Sequence, residues 1–126
     1  KLTGGLTDQV VHVIDLMPTL LDAAGANPKS RPGLLPFEGK SFLPVIQGHP
    51  ENWQGTEELY WQHSKGKAAR IGDWKLVSEN KKPWELYQIS EDGTELNNLA
   101  AAMPEKVAEL EKKHSAWDKR TNKGKR

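Results

Sequence analysis

The side chains best suited to chemistry in this chain are its four histidines. His12, His49, His63 and His114 stand far apart, and no pair has the i, i+4 spacing that turns two imidazoles toward one metal on a helix. His12 precedes Asp15 by three residues and reads as structural. His49 falls in a loop. His114 falls on the apolar stripe of a helix, where a packed, hydrogen-bonded imidazole is the simplest reading. There is no cysteine, which removes disulfides, thiolate metal sites and a thiol nucleophile together. The Asp and Asn residues form no cluster able to supply the roughly six to eight oxygens that calcium takes. Asp15 and Asp22 read instead as a helix cap and a helix-surface residue, so no metal ligand is assigned. The five tryptophans raise the question of sugar stacking. Trp61, Trp74, Trp84 and Trp117 fall on expected core faces, and only Trp53, in a loop, is expected to be exposed.

The formal net charge of +1 hides an asymmetry. Residues 1–63 hold 4 Lys+Arg against 7 Asp+Glu, and residues 64–126 hold 14 against 10. The excess gathers at the end, in Lys119, Arg120, Lys123, Lys125 and Arg126. That reads as a solvated terminus, and no basic stripe extends it along the body, which argues against a nucleic-acid binder. No apolar run approaches the roughly 20 residues needed to span a bilayer, so no membrane partner is expected. No secretory leader pattern is present at the start. The first residue is Lys1 rather than Met, and the start is read as a cut or processed end.

These residues must be positioned by local structure that the apolar pattern reveals. Val10, Val13, Ile14, Met17, Leu20, Leu21 and Ala24 recur at steps of three and four, one face of a helix. Pro18 is tolerated only in a first turn, so the helix is expected at about 15–24, capped by Asp15 and closed by Gly25. Pro and Gly punctuate residues 26–40 too densely for regular structure. A short helix follows at about 41–47, with Ser41 as cap and Pro44 in its first turn. From Glu57 the period changes to two. Strands are expected near 57–63, 67–71, 74–78 and 84–89, with turns at Lys65-Gly66, Gly72-Asp73 and 80–83. Pro104 then opens a helix at its favoured first position, with Val107, Leu110, His114 and Trp117 as the stripe that covers the sheet. The fold class is α+β: a four-stranded antiparallel sheet packed by a C-terminal helix, preceded by a helix and loop. Residues 1–55 and 56–118 form two parts, with 119–126 a basic tail. The first part cannot bury its own apolar helix and needs a layer that this sequence lacks.

Several segments, in order, resemble one family. Asp15-Leu16-Met17-Pro18-Thr19-Leu20-Leu21-Asp22-Ala23-Ala24-Gly25 resembles the D-x-x-P-T-L-L-D-x-A-G segment near the end of the α/β catalytic domain of sulfatases. Glu38-Gly39-Lys40-Ser41-Phe42-Leu43-Pro44 is similar to their G-x-S-L-x-P segment. Trp61-Gln62-His63, Ala68-Ala69-Arg70 and Gly72-Asp73-Trp74-Lys75-Leu76-Val77 resemble W-E-H…A-V-R-x-G-x-W-K-L. Trp84-Glu85-Leu86-Tyr87 with Glu95-Leu96-Asn97-Asn98-Leu99-Ala100 resembles W-E-L-Y…E-x-N-D-L-A. The likeness covers about residues 8–118.

The resemblance implies a parent of several hundred residues in the arylsulfatase-like branch of the alkaline phosphatase superfamily. Residues 1–55 would be the end of its large catalytic domain, and 56–118 its small C-terminal domain. A sulfatase uses a formylglycine made from a Cys or Ser in a C/S-x-P/A-x-R motif, together with calcium. Ser30-Arg31-Pro32 has the wrong order for that motif. No catalytic residue therefore maps onto this chain, and the segment alone is expected to be inactive. Formylglycine, calcium and the sulfate-ester substrate belong to the implied parent, and the implied partner is the missing N-terminal catalytic domain. His63 matches the His of W-x-H, whose side of the small domain approaches the cleft in this family, so it is the one candidate substrate contact. Gly66 and Lys67 stand where Asn and Arg are common, which leaves the substrate open. A periplasmic or secreted location is implied. The alternatives are a free-standing carbohydrate-binding module and the C-terminal part of a related phosphatase or phosphodiesterase.

Overall fold

The computed structural model describes residues 6–26, 33 and 35–122. The chain divides into two compact units, Lys1–Thr56 and Glu57–Arg126. Residues 27–32 of the Pro/Gly loop, including Ser30-Arg31-Pro32, lie outside the described residues, as do Lys123, Lys125 and Arg126.

The first unit begins with a 3-10 turn, Val13–Asp15, that runs into helix α1, Leu16–Ala23. This corrects the expected role of Asp15. It is already helical, at φ −82° and ψ −16°, and makes no side-chain cap bond to α1. Its carboxylate turns back instead and accepts from the His12 N–H at 2.8 Å, while the His12 imidazole accepts from the Ile14 N–H at 3.4 Å. His12 is thus the cap, consistent with its structural reading. Gly25 ends α1 at φ +65°, a conformation that glycine adopts without steric cost. There the Ala26 N–H reaches back to the Leu21 carbonyl at 2.8 Å. The second helix, α2, is a single turn, Leu43–Ile46, and a 3-10 turn at Pro50–Asn52 follows within the expected loop. Trp53 was expected to be exposed but is buried. Its Nε1 donates to the Val10 carbonyl at 3.4 Å, and Phe42 meets its ring edge-on at 6.4 Å.

The second unit is an antiparallel meander of order β1-β2-β3-β4, with β1 at Glu58–His63, β2 at Gly66–Ile71, β3 at Trp74–Ser78 and β4 at Glu85–Gln88. Helix α3, Pro104–Thr121, covers one face. Leu76 and Leu86 of the sheet and Leu110 of α3 are fully buried together, with Trp74, Trp84, Leu99, Met103 and Val107 packed around them. Burial of each such leucine contributes roughly 1.5–3 kcal/mol. The first turn is Ser64-Lys65 rather than Lys65-Gly66, because His63 pairs with Gly66. Ser64 takes the left-handed conformation there, at φ 51°. α3 also runs past the expected end at Trp117. The Thr121 hydroxyl bonds the Trp117 carbonyl at 3.0 Å, and Lys119 and Arg120 lie in the last turn, where cations suit the negative end of the helix. Lys119 and Arg120 are therefore helical rather than tail.

The edge strand β4 is covered by its own downstream chain. The Leu99 N–H donates to the Leu86 carbonyl at 2.8 Å, and the Asn98 side chain accepts from Leu86 N at 3.1 Å and Ala100 N at 2.9 Å. Asp92 organises the preceding turn by accepting from Leu96 N and Asn97 N. Those backbone donors hold its carboxyl below the usual carboxylate range.

Candidate functional site

In the first unit the motif residues are partners of one another. Asp15, with no exposed surface, accepts from Lys40 N at 2.8 Å and from the Thr56 hydroxyl at 3.1 Å, in addition to His12 N. The Thr19 hydroxyl donates to the Asp15 carbonyl at 2.6 Å and accepts from Phe42 N at 3.0 Å. The Ser41 hydroxyl donates to the Asp22 carboxylate at 2.6 Å. Between these contacts Gly39 presses onto α1's lead-in, and a Cβ there would lie 2.2 Å from the Ile14 carbonyl oxygen. The D-x-x-P-T-L-L-D and G-x-S segments are thus two halves of one backbone clasp. Their acids and hydroxyls are consumed by that clasp.

His63, the sequence-derived candidate, is the last residue of β1 and is exposed. Its side chain makes no hydrogen bond or ion pair among the described residues. Strand alternation sends Glu58, Tyr60 and Gln62 to the face under α3 and Leu59, Trp61 and His63 to the other face. Trp61 is 38% exposed, which corrects its assignment to the core. The alternation carried that result in advance, since Trp61 and His63 share a parity. The remaining core assignments hold: Trp117 stacks on Tyr60 at 5.4 Å, and Trp74 and Trp84 pack on the core.

A shallow depression of about 610 Å³ borders His63, lined by Trp61, Ser64, Lys65, Ala68, Val77 and Asn80 among others. Its two bordering turns are tied, the Asn80 N–H donating to the Lys65 carbonyl at 3.1 Å. Lys67 also lines the depression. Its ammonium lies 4.3 Å above the Trp84 ring, where cation–π attraction holds it.

Beneath β1, Lys113 of α3 reaches Glu58 at 2.8 Å. That hydrogen bond, with a second from the Tyr60 hydroxyl, holds the Glu58 carboxyl below its usual range. Burial, then the same bond to Glu58, pushes the Tyr60 hydroxyl up. His114 is buried, with its Nε2 3.2 Å from the Trp61 carbonyl, as a packed, satisfied histidine should be. Sequence reasoning missed the close approach at Gly39 and the acceptor role of Asp15. The signal was available in the two motifs, an acid and a hydroxyl four apart facing a Gly-x-Ser.

A family model described as "N-sulphoglucosamine sulphohydrolase, C-terminal" matches residues 2–120. The chain belongs to that family. Relatives of similar sequence include arylsulfatase K of Xenopus laevis, 34% identical over 87% of this chain and 22% of the relative. An uncharacterized sulfatase of Schizosaccharomyces pombe is 31% identical over 83% of this chain and 20% of that relative. The chain therefore spans about a fifth of the length of these two relatives. Among solved structures, Ps i-CgsB in complex with k-i-k-neocarrahexaose matches with a TM-score of 0.68 at 22% identity, covering 86% of this chain and 24% of that one. BT4656 in complex with its substrate D-glucosamine-2-N,6-O-disulfate matches with a TM-score of 0.61 at 24% identity, covering 88% and 24%. These two likenesses are of fold. With the meander and its covering helix, they place the family's C-terminal α+β architecture on this chain.

Proposed function

We propose that this chain serves as the C-terminal part of a sulfatase whose whole protein hydrolyses sulfate esters. The observation that carries this reading is the family match across residues 2–120, joined to a chain that spans about a fifth of its sulfatase relatives. The chain's part in it is structural and substrate-shaping. The clasp fixes α1 to its following loop, and the 3-10 turn and α1 together present Val13, Leu16, Met17 and Leu20 as exposed apolar side chains. An upstream α/β catalytic domain of the same protein is the partner that would cover them. His63, unbonded at the end of β1, is the residue proposed to touch substrate beyond the sulfate group. A periplasmic or secreted location belongs to the same reading.

The residues described here do not fit the groups that the reaction needs. There is no Cys, and among the described residues no three His, Cys, Asp or Glu side chains converge to hold a metal. Formylglycine and calcium are therefore assigned to the upstream part, and no chemical step is derived through them. The test is expression of the chain together with its upstream coding region. Expected is a C/S-x-P/A-x-R motif upstream and turnover of 4-nitrocatechol sulfate. Hydrolysis of phosphate esters in place of sulfate esters would move the reading to the phosphatase alternative. Saccharide binding with no upstream catalytic motif would move it to the binding-module alternative.

A further inference from the structure

β1 delivers His63, and the strand is held on both sides of that residue. On the downstream side the Lys65 carbonyl takes the Asn80 N–H at 3.1 Å. On the upstream side the Trp61 carbonyl meets His114 Nε2 at 3.2 Å. A carbonyl oxygen only accepts, so Nε2 carries the hydrogen. The imidazole is 3% exposed and enclosed by rings: Trp84 edge-on at 5.6 Å, Tyr60 edge-on at 6.2 Å, and Trp117 tilted at 5.5 Å. It cannot shift without displacing all three. An apolar side chain would fill the same cage without the cost of desolvating a polar ring. What a histidine adds there is the directed bond to Trp61.

We infer that His114 is a positioning residue for the rim. It fixes the peptide plane between Trp61 and Gln62, and through it the direction in which His63 leaves the sheet. The inference rests on the reading of His63 as a substrate contact, and the test separates the two. One arm uses the 126-residue chain without substrate and follows the His63 ring resonance by NMR. His114→Leu, which fills the cage without a donor, shifts that resonance and the amides of 61–66. His114→Gln, which restores a donor, returns them toward wild type, while the amides of β4 stay in place in both. No movement at His63, or movement spread evenly through the unit, overturns the positioning role whatever His63 does. The second arm uses the sulfatase containing this chain. His114→Leu raises KM about threefold to tenfold, the worth of one hydrogen bond, with kcat nearly unchanged. In a His63→Ala background it adds nothing, because the two residues act as one unit. Additive effects, or a fall in kcat that tracks melting temperature, overturn the positioning role. An unchanged KM in His63→Ala alone overturns the substrate-contact reading and leaves the first arm to judge His114.

Discussion

Gly39 is tightly confined in the first unit. A methyl group there meets backbone atoms, the Ile14 oxygen at 2.2 Å and the Asp15 nitrogen at 2.7 Å, and no rotamer can relieve a backbone clash. Gly39→Ala should destabilise the unit by about 2–3 kcal/mol, toward the upper end of overpacking costs. A urea titration followed by Trp53 fluorescence would measure it, and an unchanged midpoint would contradict the close approach. Asp15→Asn should cost about 1.5–3 kcal/mol, since an amide can keep the bonds to Lys40 and Thr56 only by facing the His12 N–H with a second donor. The importance of Asp15 was legible in the sequence, because an acid three residues before Pro18 is an obvious cap. Its actual role was not. A capping Asp and a helical Asp differ in one backbone angle, and composition does not record that angle.

At the scale of elements, β1 and α3 are joined by the pair of Glu58 and Lys113, whose side chains are 44% and 38% exposed. Glu58 has its folded pKa lowered, chiefly by the Lys113 hydrogen bond. Its stabilisation is therefore complete above its unfolded value and is lost as pH falls through the lower folded value. Lys113 has its folded pKa raised by the same bond, so its share is complete below its unfolded value and is lost as pH rises through the higher folded one. Thermal melts followed by near-ultraviolet dichroism of the Trp117 and Tyr60 stack should show a plateau with a downturn in the acid range. Glu58→Gln should flatten that downturn, and added salt should shrink it, as expected for a pair this exposed. A wild-type acid limb unaltered in Glu58→Gln would remove the pair from the account. Every strand and both main helices were legible from periodicity, within a few residues. The misplacements have local causes. Ser64 accepted a left-handed turn that the sequence would assign to glycine, and α3 continued through residues whose hydrophobic stripe had ended. Trp61 lies on the face away from α3 because it shares its strand parity with His63.

For the whole molecule, the question is what the chain does without the rest of a sulfatase. Val13, Leu16, Met17 and Leu20 leave neighbouring apolar side chains exposed on the first unit, the kind of surface that marks an interaction site. The purified chain should bind a hydrophobic dye. Hydrogen exchange should protect the strands and α3 well above α1, and full protection of residues 16–23 in a monomer would count against a missing layer. The chain alone should show no turnover of an aryl sulfate with or without calcium, and measurable turnover would refute its assignment as a non-catalytic part. Family membership was legible in the ordered motifs. The identity of the substrate was not, because the motifs record the clasp and the core of the sheet.

The clasp and the turns divide their labour unequally between partners. Asp15, Asp73, Asp92 and Asn98 receive bonds with their side chains, whereas Lys40, Ser90, Leu96, Asn97 and Ala100 give them through the main chain. Any residue with an N–H can give such a bond, so a saturation library should be nearly silent at Lys40 and Leu96 except for one substitution, proline. At the receiving positions almost every substitution should score. Mutational tolerance along this chain would then alternate between fixed and permissive sites that touch each other, and the fixed member of each pair would mark a side-chain acceptor rather than a catalytic group.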